Sequence, residues 1–165
     1  MFLALLGLLA SLGISFWYLY HWQVFFNSDF AMIGLLGERI LRTGETFLYV
    51  PTVGYQGLLI EAYLSAFLFK WFGMTPRALH LTAVIAFLIF VFWFYQAARV
   101  WFGKKEAQLS VLFLCFSSPL FFVHVLRTQP NYPETFALGC FLFWAFKKWT
   151  DSRKDKFFYW GCFGS

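Results

Sequence analysis

Charged side chains are what this chain has least of: 13% of its residues, beside an apolar share of 61%. A soluble domain carries about 25% charged and roughly 45–50% apolar residues. A water-exposed globular fold is therefore excluded, because a core built from 165 residues cannot hide that much apolar surface. Cysteine is also scarce. Cys115, Cys140 and Cys162 lie inside apolar runs rather than loops, so they argue against both a disulfide framework and a metal motif. They read as small apolar core residues. There is no Gly-rich phosphate loop, no nucleophile elbow and no zinc spacing. What the chain does have is aromatic: 25 Phe, 8 Trp and 8 Tyr. Phe suits helices facing lipid, and Trp and Tyr suit the two membrane interfaces. The net charge of +5 does not indicate nucleic acid, since the bases do not cluster on a soluble, aromatic-interleaved surface.

A membrane-spanning helix needs about 20 mostly apolar residues. Four stretches qualify: about 2–20, 79–101, 107–126 and the shorter 135–149, with the start of a fifth at 157. The first has no charge, no basic leader and no small-residue cleavage site before His21, so it reads as an uncleaved helix rather than a signal peptide. Pro119 predicts a kink late in the third. Lys147 and Lys148 end the fourth and can snorkel to the interface. The fifth run stops at Ser165, as expected of the N-terminal part of a longer membrane domain.

Residues 58–73 (LLIEAYLSAFLFKWFG) are short for a span and contain Glu61 and Lys70. Charge placement decides between a span and an interfacial helix. If they do not span, Arg99, Lys104, Lys105, Lys147, Lys148, Arg153, Lys154 and Lys156 all share the side of Met1, against Glu106, Asp151 and Asp155. If they do span, all eight bases move to the opposite side. The first arrangement obeys the positive-inside rule. It predicts a cytoplasmic N-terminus and two extracytoplasmic loops, 21–78 and 127–134.

A loop as long as 21–78 is expected to be structured or functional. Ser28 can cap a helix from Asp29 to about Arg42, ended by Thr43-Gly44. Phe30, Ile33, Leu36, Gly37 and Ile40 share one face, and Glu38 and Arg42 form an i,i+4 pair opposite. That pattern predicts an amphipathic helix on the membrane surface. Tyr49–Gly57 (YVPTVGYQG) is turn-rich, and the helix over 58–73 follows. The expected fold is an all-α, polytopic transmembrane helical bundle with amphipathic juxtamembrane helices in its first extracytoplasmic loop.

Asp29 has two readings. It is either an acid stabilised by a helix N-terminus, or a carboxylate held at the interface as a general base or metal ligand. Glu61 is either buried and functional or snorkels with Lys70 at the surface. His21, His80 and His124 fall near one interface, each at a different helix end, and read as interfacial anchors rather than metal ligands.

The run NSDFAMIGLLGERILRTGETFLYVPTVGYQGLLIEAYLSAFLFKWFG resembles the first extracytoplasmic loop of multi-pass glycosyltransferases with the C-type fold. Among these it is similar to the protein O-mannosyltransferases and the bacterial lipid A aminoarabinose transferases. Asp29, Gly44-Glu45, the Tyr49–Gly57 turn, Glu61-Ala62-Tyr63-Leu64 and Phe72-Gly73 carry the likeness. AARVWFGKKEAQLSVLFL resembles the family's short cytoplasmic loop, and LRTQPNYPETFALG its second extracytoplasmic loop in bacterial members. The resemblance implies transfer of a sugar from a polyprenyl-phosphate donor to an extracytoplasmic lipid, glycan or protein acceptor, in the bacterial inner membrane, with membrane lipids as surroundings. It implies Asp29 as the catalytic carboxylate. Arg127, Glu134, Glu61 and Tyr55 become the candidates for binding substrate. Arg127 is otherwise an interfacial anchor, and Glu134 a helix N-terminal acid. No cofactor is required by the pattern; a divalent metal, if used, falls to Asp29 and Glu134, and the family's Asp is missing from the second loop. The rival from another class is a non-enzymatic transporter or assembly subunit. Such a protein is expected to carry charges or broken helices at mid-bilayer, and these spans have almost none.

Overall fold

The computed structural model describes residues 2–21, 28–45, 60–126 and 132–151. Among them there is no strand. Seven helices follow in order: α1 (Phe2–Tyr20), α2 (Ser28–Thr43), α3 (Ile60–Phe72), α4 (Pro76–Phe102), α5 (Lys104–Leu114), α6 (Pro119–Leu126) and α7 (Tyr132–Asp151). Among the described residues, α4 is the helix long and apolar enough to cross a membrane.

Local chemistry sets most of the helix ends. Gly44 and Gly73 follow α2 and α3 with φ of 68° and 74°, the left-handed conformation that closes a helix at little cost only for glycine. Their N–H groups donate to Ile40 O and Phe69 O, each at 3.0 Å. Two residues later Thr75 caps α4: its Oγ1 accepts from Ala78 N–H at 3.2 Å, and Pro76 stands at the first helical position, where its missing N–H costs nothing. α3 and α4 therefore form a tight antiparallel hairpin.

The third expected span departs from expectation. In place of one kinked helix over 107–126, α5 stops at Leu114, Cys115–Ser118 form a turn, and α6 starts at Pro119. Proline removes an N–H and pushes the preceding residue out of helical geometry. Ser118 then serves as a new cap, its Oγ accepting from Phe121 N–H at 3.3 Å. The first turn of α7 also begins earlier than the expected 135, at Tyr132.

α4 is the spine, and two clusters pack on it. Along its middle, Val84, Phe87, Phe90 and Val91 meet Val111 of α5, Phe122, Val125 and Leu126 of α6, and Ala137 of α7. Phe90 lies against Phe136 at 5.7 Å and Trp93 against Phe141 at 4.8 Å between ring centroids. Trp101 Nε1 donates to Phe143 O at 3.1 Å. Numbers rise together along both helices, so α4 and α7 run in the same direction, with α5 and α6 as the return. α1 joins through α5, where Cys115 Sγ approaches Gly7 O at 3.3 Å.

The first turns of α4 project past α7 and carry the second cluster: Phe30 and Ile33 of α2, Phe69 of α3, Ala78 and Leu79. Here the expected face of α2 is correct, with Phe30, Ile33 and Gly37 buried and Leu36 and Ile40 partly so. The Glu38–Arg42 pair closes at 2.8 Å. That face lies on α3, so α2 docks on protein with its apolar stripe.

Candidate functional site

Glu61 begins α3 and is 1% exposed, and Glu134 begins α7 and is 7% exposed. Neither Glu61 carboxyl oxygen has a hydrogen-bond partner, and the Glu134 carboxyl lies against the backbone N–H groups of Glu134 and Glu61. Both acids line one cavity of about 220 Å³ between α3, α4 and α7, with Leu64, Ala86, Trp93 and Phe141 among its other walls. Small residues bring Glu61 there: Ala62, Ser65 and Ala66 are buried on the same side of α3, letting α2 and α4 approach closely. Ser65 is satisfied locally, its Oγ donating to Ala62 O at 2.8 Å. Glu61 is thus buried, and the surface alternative with Lys70 does not hold. Lys70 is exposed at the far end of α3.

α3 lies outside the expected spans. Burial first, and the Glu134 carboxylate beside it second, hold the Glu61 carboxyl well above the ordinary carboxylate range. Both causes disfavour a second negative charge in an apolar space. An acid in this state either keeps its proton or waits for a cation.

The other candidates are distributed differently. Asp29 stands in the first turn of α2, half-buried, one residue from Phe30 in the upper cluster. Glu134, by contrast, is the group whose charge acts on Glu61. The structure brings Glu61 and Glu134 together on one cavity; Asp29 and Glu134 were the acids the sequence offered for a metal, if one is used. Arg127 and Tyr55 lie outside the described residues. Among the described residues no three of His, Cys, Asp and Glu come together.

The histidines split. His21 lies among Trp17 and Tyr20, with ring centroids 4.5 and 5.1 Å away, and its Nδ1 is 2.9 Å from Trp17 O; this suits an anchor. His80 does not: it is completely buried with Phe30 at 6.3 Å. Its burial was missed because α2, remote in sequence, supplies the cover. Cys115 and Cys140 form no disulfide and are partly buried, as apolar packing residues would be.

The model of the family described as dolichyl-phosphate-mannose-protein mannosyltransferase matches residues 58–164. That segment holds α3 to α7, hence both buried carboxyls, and leaves Asp29 outside it. No curated protein and no solved structure matches the chain. The matched stretch covers well over half of the sequence and agrees with the apolar α4 helix of an integral membrane protein; the chain belongs to the dolichyl-phosphate-mannose-protein mannosyltransferase family, and its chemistry is that of a glycosyltransferase.

Proposed function

We propose that this protein transfers a sugar from a polyprenyl-phosphate carrier to an acceptor on the extracytoplasmic side of a bacterial inner membrane, with its N-terminus in the cytoplasm. The observation that carries this reading is the pair of buried carboxyls, Glu61 and Glu134, on one cavity inside the segment that matches the family. Supporting it is the placement of α2, α3 and the first turn of α7 along the N-terminal half of α4, the half that starts at its Thr75 end. That end is extracytoplasmic in the topology the charges favour.

In the transfer, the acceptor's oxygen attacks the anomeric carbon of the sugar. The bond from that carbon to the carrier's phosphate oxygen breaks, and polyprenyl phosphate departs with the electron pair. The acceptor proton must go to a base. Asp29 takes that role in this reading: it sits on a rigid helix docked beside α4, and a carrier phosphate lies at headgroup depth, where a base must also lie. Glu61, Glu134, Arg127 and Tyr55 hold the donor. Arg127 would act through charge-assisted hydrogen bonds to phosphate.

The test is sugar transfer from a polyprenyl-phosphate-linked donor by the purified protein in lipid, comparing the parent with Asp29→Asn. Loss of a general base is expected to reduce turnover by roughly 10²–10⁴-fold while donor binding persists. Turnover close to that of the parent would remove Asp29 from the mechanism. No transfer by the parent with any polyprenyl-phosphate sugar would favour the transporter or assembly reading.

A further inference from the structure

The C-terminal third of α4, away from Glu61 and Glu134, borders a second cavity of about 440 Å³. Phe94, Ala97, Ala98 and Trp101 of α4 wall it, with Ser110 of α5 and Phe143 of α7. From Phe94 to Phe102, which also lines it, α4 rises about 12 Å at roughly 1.5 Å per residue. Half of a hydrocarbon core roughly 30 Å thick is about 15 Å. The cavity thus follows α4 through most of the depth of one leaflet. Its mouth is basic. Lys147 Nζ stands 5.6 Å from the centroid of the Trp101 ring and pairs with Asp151 at 2.7 Å. Lys148 comes next on α7, and Lys104 and Lys105 open α5 directly beyond Phe102 and Gly103; all three are exposed. With Arg99 in the last turn of α4, five bases stand against two acids, Glu106 and Asp151, among the described residues at this end. The positive-inside rule explains the sign of this charge. It does not explain an apolar cavity opening beside it. An anionic phospholipid is the complement to both features, an apolar chain joined to a phosphate at headgroup depth. Basic pockets between spanning helices bind such headgroups.

We propose that this cavity takes one acyl chain of an anionic phospholipid whose phosphate lies among Lys104, Lys105, Lys147 and Lys148. The lysines reach the phosphate by charge-assisted hydrogen bonds, with their stems along the apolar wall. Trp101 marks the boundary: its Nε1 donates to Phe143 O at 3.1 Å, which holds the ring between the cavity and Lys147. The lipid ties α4, α5 and α7 together at the end away from the buried carboxyls. No residue assigned to sugar transfer belongs to this site, so the two readings stand or fall separately.

Native mass spectrometry of the purified, delipidated protein, titrated with phosphatidylglycerol or phosphatidylcholine, counts the lipid retained. The parent is expected to retain one phosphatidylglycerol and to prefer it over phosphatidylcholine. Each base near the phosphate contributes about fivefold in affinity. Combining Lys104→Gln, Lys105→Gln and Lys148→Gln should therefore cost on the order of 100-fold for phosphatidylglycerol and leave phosphatidylcholine unchanged. Raising the ionic strength from roughly 0.1 M to 1 M, which shortens the Debye length from about 10 to 3 Å, should narrow the preference. Ala98→Phe fills the cavity without touching the charges and should weaken both lipids by about tenfold or more. A thermal melt checks that this variant folds; Ser110→Leu, at a partly exposed position, fills the same space if it does not. Equal affinity of the parent for the two lipids overturns the site, as does unchanged phosphatidylglycerol affinity in the triple Gln variant or in the folded cavity-filling variant. Oxidative cross-linking of Cys162 to Phe143→Cys, with no phosphatidylglycerol retained, would give the cavity to residues 157–164 of the chain and overturn it too.

Discussion

Gly37 shows what a single missing side chain does here. α2 crosses α3 at this position, and a Cβ built on Gly37 would run into the Ser65 hydroxyl and sit 3.2 Å from Ala62 O. The hydroxyl could turn away, but the carbonyl is part of α3 and cannot. Helix propensity favours alanine over glycine by about 1 kcal/mol, and overpacking costs about 1–3 kcal/mol, so the clash should win. Gly37→Ala is expected to lower the thermal midpoint, and Ser65→Ala on that background to restore part of it. A midpoint raised by Gly37→Ala alone would mean that α2 does not approach α3 this closely. From the sequence, Gly37 was legible as part of the apolar face of α2, because helical spacing places it beside Phe30 and Ile33. That the face meets α3 rather than lipid was not legible, since nothing within α2 says what covers it.

At the scale of elements, Pro119 separates two accounts of the α5–α6 segment. Inside a continuous helix a proline costs about 3 kcal/mol, so Pro119→Ala would stabilise a merely kinked span. At the first position of a separate helix its ring is already in helical geometry. Removing it there should cost about 0.4–1 kcal/mol through the freedom returned to the unfolded chain. With Cys115–Ser118 turning and Ser118 capping α6, the expected sign is destabilisation, read as a lower thermal midpoint in detergent. A higher midpoint would restore the single kinked helix. At the α3–α4 connection the expected span began at 79, whereas α4 starts at Pro76 behind its Thr75 cap, because Gly73, Thr75 and Pro76 act as a stop, a cap and a start within four positions. Proline at 119 permits a kink or a break, and only the neighbouring helices choose.

For the whole molecule, the arrangement in which α3 does not span makes a topological prediction. A labelling cysteine introduced by Thr75→Cys lies in the turn between α3 and α4, where Thr75 is exposed. In intact cells it should react with a membrane-impermeant reagent added outside. Reaction only after the membrane is opened would turn the chain over and place the Glu61–Glu134 cavity on the cytoplasmic side, which would also remove the proposed donor from reach.

Composition alone determined that the chain is helical and belongs to a membrane, because its apolar surplus exceeds what a soluble core can bury. Local spacing determined most helix ends and the apolar face of α2, since caps, glycines and helical periodicity act over a few residues. The likeness to C-type glycosyltransferases was also present in short motifs, and the family match to residues 58–164 agrees with it. The meeting of Glu61 with Glu134 was decided only by tertiary structure. Their positions are far apart in the chain, and each reads locally as an ordinary acid at a helix start. It takes the packing of α3 and α7 against α4 to bury both in one cavity.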